Sequence, residues 1–205
     1  MIKRKTDNGF FIAVDGPNGA GKTTIIQSLA THLSKQGYDL YVTCEPTDSD
    51  FGKYLRAFAE QNSGISVACM VAADRYEHLK KEIIPALSEG KIVITDRYIL
   101  YSLILQVMDG VSAKYVMSVN SEIIVPDLQL AVFADEDTLQ KRLSGRSELT
   151  RFEKECQSGN ELLFMKKGLD ILESEGINIL SINNASDLIG NVDKVASYVM
   201  ERWLQ

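Results

Sequence analysis

Eight residues near the start of the chain, Gly16-Pro-Asn-Gly-Ala-Gly-Lys22-Thr23, carry the spacing G-x-x-x-x-G-K-[ST]. That spacing suits one task, holding a row of phosphates. Glycines let successive backbone N–H groups turn inward, and the following helix adds its positive N-terminal end. Lys22 would bridge the β- and γ-phosphates, and the Thr23 hydroxyl would join a Mg²⁺ shell as a hard oxygen ligand. Gly16, Asn18, Gly19, Ala20, Gly21, Lys22, Thr23 and Thr24 are therefore expected around the nucleotide, ATP. The motif alone leaves GTPase, ATPase and kinase open. A GTPase would carry D-x-x-G after the loop and N-K-x-D; the only D-x-x-G is Asp187 to Gly190, and N-K-x-D does not occur.

A second cluster is Ile92-Val-Ile-Thr-Asp96-Arg97-Tyr98, an apolar run ending in an acid and an arginine. In open parallel sheets ligands bind beyond the carboxyl ends of strands. Asp96 is then placed to hold Mg²⁺ or its waters and Arg97 to reach a phosphate. Asp15, at the end of the run before the loop, supplies another carboxylate. A third cluster, Arg142, Arg146 and Arg151, brackets Gly145 in a polar stretch. It reads as a lid over approximately 142–153, with Arg142 toward the nucleotide and Arg146 and Arg151 stabilising charge on the transferring group on closure. Arg56 and Arg75 are further candidates for the acceptor. No general base stands beside a serine, cysteine or histidine nucleophile, and His32 and His78 read as structural or surface residues. A phosphate monoester acceptor needs no such base, because its second pKa is near 6.

The elements that must carry these groups alternate. Short β-branched or aromatic runs occur at Phe10–Val14, Leu40–Thr43, Ile92–Thr95, Leu128–Phe133 and Ile177–Ile182, separated by stretches of helical period such as Ile25, Leu29 and Leu33 or Leu79, Ile83 and Leu87. Continuous apolar runs indicate parallel strands covered on both faces. The fold class is α/β, and 205 residues at 45% hydrophobic fit one domain over 1–205. A net charge of −6 argues against nucleic acid and anionic membrane as partners. No run approaches a membrane span, and Met1-Ile-Lys-Arg-Lys is followed by too short an apolar run for a signal peptide. Cys44, Cys69 and Cys156 lack metal spacing and read as reduced thiols of a cytoplasmic protein.

Taken in order, Val14 to Thr24, Glu45-Pro-Thr-Asp-Ser with Gly52 to Arg56, Ala73-Asp-Arg75, Thr95-Asp-Arg-Tyr98 with Ser102 and Gln106, Pro126-Asp127, and Arg146-Ser-Glu-Leu-Thr-Arg151 make the chain resemble the thymidylate kinase family from end to end. The resemblance implies a P-loop NTPase fold, three layers α/β/α around a five-stranded parallel sheet with a lid. It also implies ATP and Mg²⁺, a homodimer, and phosphorylation of dTMP to dTDP. It places Lys22, Arg97, Arg146 and Arg151 in catalysis, Arg97 and Arg56 on the acceptor phosphate, Arg75 on the thymine edge, and Asp15, Glu45, Ser102 and Gln106 around the acceptor. The chain departs from the family pattern at Cys44, where Arg is usual, at Val71, where Phe stacks on the base, and at Leu105, near the usual Tyr beside the deoxyribose. Two alternatives keep the loop but change the outcome. In a deoxynucleoside kinase Glu45 would act as general base, and a non-catalytic nucleotide-binding protein would show no acceptor-stimulated turnover.

Overall fold

The computed structural model describes Met1 and residues 9–146, 149–155 and 158–203. The basic residues Lys3, Arg4 and Lys5, Cys156, and Ser147 and Glu148 of the expected lid lie outside the described residues.

Five strands form one parallel sheet in the order β2-β3-β1-β4-β5: β1 Phe10–Asp15, β2 Leu40–Cys44, β3 Ile92–Asp96, β4 Leu128–Phe133 and β5 Ile179–Asn183. The apolar run at Ile177 enters the sheet two residues late, while Ile177 itself is buried in the turn before β5. Strand alternation explains the layers. Phe10, Ile12 and Val14 point into a core with Ile25, Leu29 and Leu33 of α1 (Lys22–Lys35) and Val195 and Val199 of the C-terminal helix. Phe11 and Ala13 point the other way, so β1 is buried along its whole length. The edge strands β2 and β5 are covered less, with Val42 48% exposed.

The remaining helices are α2 (Asp50–Ala59), α3 (Ile65–His78), α4 (Ile84–Ser88), α5 (Ile99–Met108), α6 (Ala113–Val119), α7 (Glu136–Ser144), α8 (Arg151–Glu155), α9 (Ser158–Ser174) and α10 (Leu188–Trp203). Between α3 and α4 the backbone passes through a π-helical turn, Leu79–Ile83. The stripe Leu79, Ile83, Leu87 is buried all the same. Asp135 caps α7 by accepting from the Thr138 N–H at 2.8 Å. A short helix, α8, occupies part of the stretch expected as loop. α9 lies so close to α5 that a Cβ on Gly168 would sit 2.8 Å from a Leu100 methyl. The parallel sheet with helices on both faces and a phosphate-loop motif between β1 and α1 is an α/β P-loop NTPase fold.

Candidate active site

The loop Gly16–Gly21 leaves the carboxyl end of the central strand, β1. Its path depends on glycine. A Cβ at Gly16 would lie 1.9 Å from the Val132 carbonyl oxygen, and Gly21, at φ 85°, would meet the Asn184 amide at 2.5 Å. Lys22 opens α1 and turns back, donating from Nζ to the carbonyls of Gly16 at 2.9 Å and Pro17 at 3.0 Å. Burial, helped by the charge of Arg97, pulls its ammonium down to about 8. Asn18 is fixed by Glu161 of α9, which accepts from the backbone N–H at 2.6 Å and the side-chain amide at 3.2 Å.

The two candidate carboxylates separate. Asp15 is fully buried, with Oδ1 accepting from the Tyr98 N–H at 2.7 Å and Oδ2 from Gln129 Nε2 at 3.0 Å. Burial pushes it up to about 6. Each oxygen accepts a hydrogen bond, which makes Asp15 a strut between β1, β4 and the start of α5. Asp96 behaves differently. Its Oδ2 accepts from the Thr23 hydroxyl at 3.0 Å, while Oδ1 is buried with no hydrogen-bond partner among the described residues. One orphaned carboxylate oxygen beside a threonine hydroxyl fits Mg²⁺, which takes one or two protein oxygens and completes its shell with phosphates and water. No group of three or more His, Cys, Asp or Glu among the described residues is disposed to hold a metal alone.

Beside the loop opens a cavity of about 200 Å³ whose lining includes Arg56, Val71, Arg75, Arg97, Leu105 and Gln106. Arg97 enters it from an unusual backbone, φ 77°, a strained region for a residue with a Cβ. That turn lets its N–H donate to Val14 at 2.9 Å. Its guanidinium lies 4.6 Å from the centre of the Tyr101 ring, with Nε buried and unpartnered among the described residues. Arg75, only 1% exposed, makes four hydrogen bonds: Nε to Glu45 at 2.8 Å, Nη1 to Asn120 at 2.7 Å, and Nη2 to the Tyr98 carbonyl at 3.0 Å and Ser102 at 2.9 Å. One Nη1–H is left over. Gln106 donates to Ser102 at 3.2 Å, and its Oε1 is buried without a partner among the described residues. Ser102 thus serves the site by orienting Arg75 and Gln106. Glu45 also lines the cavity, but its oxygens face Arg75 and His78 Nδ1, the latter at 3.3 Å. His78 is fully buried in that network, which agrees with a structural role.

Arg56 is half-buried and bends over the chain after β2, donating to the carbonyls of Thr47 and Pro46 and pairing with Asp48 at 3.2 Å. Its Nη2 lies 3.8 Å from the Cys44 sulfur. The three lid arginines diverge. Arg142 ties the loop to the end of β5, donating to Gly19 at 3.2 Å and to Asn184 at 2.8 Å. It shares a recess with Thr24, Gly19, Gly21 and Ala185 that can take the nucleoside part of ATP. Arg146 borders the same recess and pairs with Glu153. Arg151 is held elsewhere. It grips Asp109 at the end of α5 through two bonds, 3.0 and 2.8 Å, and donates to the Ala59 carbonyl at 2.9 Å. A part in transfer would require it to leave that carboxylate.

Several residues escaped the sequence reading. Asn120 and Glu161 stand far in sequence from their partners and carry no local mark. Tyr101 carries no local mark either, because Arg97 stands before α5 on a left-handed backbone and helical spacing does not relate the two.

A family model described as thymidylate kinase matches residues 14–194. The chain is 38% identical over 154 residues to a probable thymidylate kinase of Pyrococcus abyssi, covering 71% of this chain and 75% of the relative. It is 40% identical to a probable thymidylate kinase of Pyrococcus horikoshii, with the same coverage. A thymidylate kinase of Caldicellulosiruptor saccharolyticus is 35% identical over 150 residues, covering 68% of this chain and 73% of the relative. Because the match runs from the end of β1 through the phosphate loop, the Asp96-Arg97-Tyr98 corner and the cavity into α10, this chain belongs to the thymidylate kinase family.

Proposed function

We propose that this protein transfers the γ-phosphoryl group of ATP to the phosphate of dTMP, giving dTDP and ADP. The observation that carries the reading is the polarity of the cavity. Arg97 and Arg56 line it together, and a spare Arg75 N–H and a Gln106 oxygen without a partner among the described residues belong to its wall. A donor beside an acceptor matches the O4 and N3–H of thymine and mismatches the corresponding edge of cytosine, where both polarities are reversed.

The acceptor's phosphate oxygen is an anion at neutral pH and attacks Pγ directly. The new O–Pγ bond forms as the bond from Pγ to the β,γ-bridging oxygen breaks, and ADP leaves with that electron pair. Lys22 and the loop N–H groups hold the β- and γ-phosphates, and Arg97 holds the acceptor. Arg146 reaches the γ-oxygens by exchanging Glu153 for phosphate, and Arg151 would have to exchange Asp109 in the same way. Asp96 and Thr23 would hold Mg²⁺, which neutralises charge on the β- and γ-phosphates when bound. Catalysis is then positioning and charge compensation. Glu45 does not suit the general-base role of a deoxynucleoside kinase, because Arg75 and His78 face its two oxygens.

A homodimer is the expected assembly. Tyr54, Ile65 and Tyr115, exposed on α2, α3 and α6, offer an apolar surface for it, and sedimentation would measure it. No helix of the described residues is long and apolar enough to cross a membrane. The function is tested by ADP release from ATP·Mg²⁺ with dTMP, dUMP, dCMP, dGMP and AMP. The expected order is dTMP, then dUMP about 4-fold lower in kcat/KM for its missing methyl group, worth ~0.8 kcal/mol, then dCMP and the purines. Preference for dCMP or a purine would reject the base assignment.

A further inference from the structure

Two cations that must flank the transferring group come from different elements: Lys22 from the loop and first turn of α1, Arg97 from the corner after β3. Like charges brought together in a buried site repel; the carbonyls of Gly16 and Pro17 hold Lys22 on one side, and the Arg97 backbone is tied to Val14 on the other. The structure supplies a third element. The Tyr101 ring, on the first turn of α5, lies 4.6 Å from the Arg97 guanidinium and 5.4 Å from Lys22 Nζ, both within the range at which a cation is drawn to an aromatic face. The Tyr101 hydroxyl donates to Asn18 Oδ1 at 3.2 Å, and Asn18 is in turn held by Glu161. The ring is thereby pinned to the phosphate loop at one end and to α5 at the other.

We propose that Tyr101 is a positioning residue: its ring seats Lys22 and Arg97 together and sets the spacing across which the phosphoryl group moves. The proposal rests on the kinase reading above and adds to it a residue that touches neither substrate's reacting atoms. The ring carries negative density on its face without carrying charge. It therefore attracts both cations and leaves them free to pair with phosphate, which a carboxylate at this position would not. Burial holds the phenol's pKa up at about 12, so it remains neutral through the working range. The hydroxyl orients the ring through Asn18 and also interacts with the Arg97 side chain.

Two substitutions separate ring from bulk. Tyr101→Phe keeps the aromatic face and loses the hydroxyl's contacts with Asn18 and Arg97; Tyr101→Met keeps apolar volume and loses the face. Steady-state kinetics with ATP·Mg²⁺ and dTMP, ADP affinity by calorimetry and thermal melting are measured for both variants and for the unaltered protein. The expected result is a kcat within about 3-fold for Tyr101→Phe. For Tyr101→Met it is a kcat lower by about 10- to 100-fold, with KM for dTMP shifted less than kcat and ADP bound several-fold more weakly. A Tyr101→Met protein with kcat within 3-fold of the unaltered chain overturns the proposal. So does a Tyr101→Phe protein as impaired as Tyr101→Met, since that would locate the effect in the hydroxyl. Should Tyr101→Met fail to melt cooperatively, Tyr101→Leu and Tyr101→Trp take the same comparison, with Trp expected to retain activity. Absence of dTMP turnover in the unaltered protein would instead reject the acceptor reading. The ADP arm needs no acceptor, and equal ADP affinity in all variants would then reject the role of Tyr101.

Discussion

Arg75 and Arg97 line the same cavity, each with its guanidinium near an aromatic ring, 5.1 Å from Tyr98 and 4.6 Å from Tyr101. Their surroundings are opposite. Arg75 is saturated by Glu45, Asn120, Tyr98 and Ser102 and has one N–H to spare. Arg97 has a buried Nε without a partner among the described residues and stands on a strained backbone. The difference separates recognition from charge compensation. A rigid, neutralised arginine can discriminate a base edge without attracting stray anions, whereas an arginine left short of partners keeps its charge for a phosphate.

The comparison breaks first at Arg75. Arg75→Ala leaves the Glu45 carboxylate buried without its main partner, and such losses cost about 3–5 kcal/mol. Urea unfolding should show it, together with loss of soluble protein at 37 °C. Arg97→Ala should do the reverse. Unfolding stability should change by less than about 1 kcal/mol, while kcat/KM for dTMP falls by about 10²- to 10³-fold, the size seen when a preorganised donor to a reacting group is removed. Equal stability losses in the two variants would erase the distinction.

A smaller effect tests the charge shared between Lys22 and Arg97. The ammonium of Lys22 is the form that holds phosphate, and its pKa is lowered to about 8. The charge is therefore present below pH 8 and lost above it. In the free enzyme kcat/KM for ATP should fall about tenfold per pH unit beyond that point, and Lys22→Arg should remove this limb even though its activity is low. The smallest effect belongs to the cavity wall. Val71→Phe adds a ring where the base is expected to lie and should lower KM for dTMP by about 2- to 10-fold, corresponding to about 0.5–1.5 kcal/mol for an aromatic pair. An unchanged or raised KM would place the base elsewhere.

The sequence reading located the strands within a few residues, because continuous apolar runs bounded by helical periods are what parallel, doubly covered strands require. It also located the phosphate loop, whose spacing is local. What it lacked was long-range pairing. Arg75 takes its hydrogen bonds from residues 23 to 45 positions away, and Asp15 is tied to Gln129 across 114 positions. No period or motif reveals such partners, so neither the Gln129 and Tyr98 bonds of Asp15 nor the Asp109 pair of Arg151 was legible. The π turn at Leu79–Ile83 had no signal either, since the Leu79, Ile83, Leu87 stripe is the same with or without it.

The claim at the centre is that the acceptor is a phosphate, held by Arg97 and activated by its own charge. Comparing kcat/KM for dTMP and for thymidine under saturating ATP·Mg²⁺ tests it most directly. A site built around an anion rejects the analogue that lacks it, so dTMP should be preferred by about 10⁴-fold or more. Turnover of thymidine equal to or faster than that of dTMP would contradict the account.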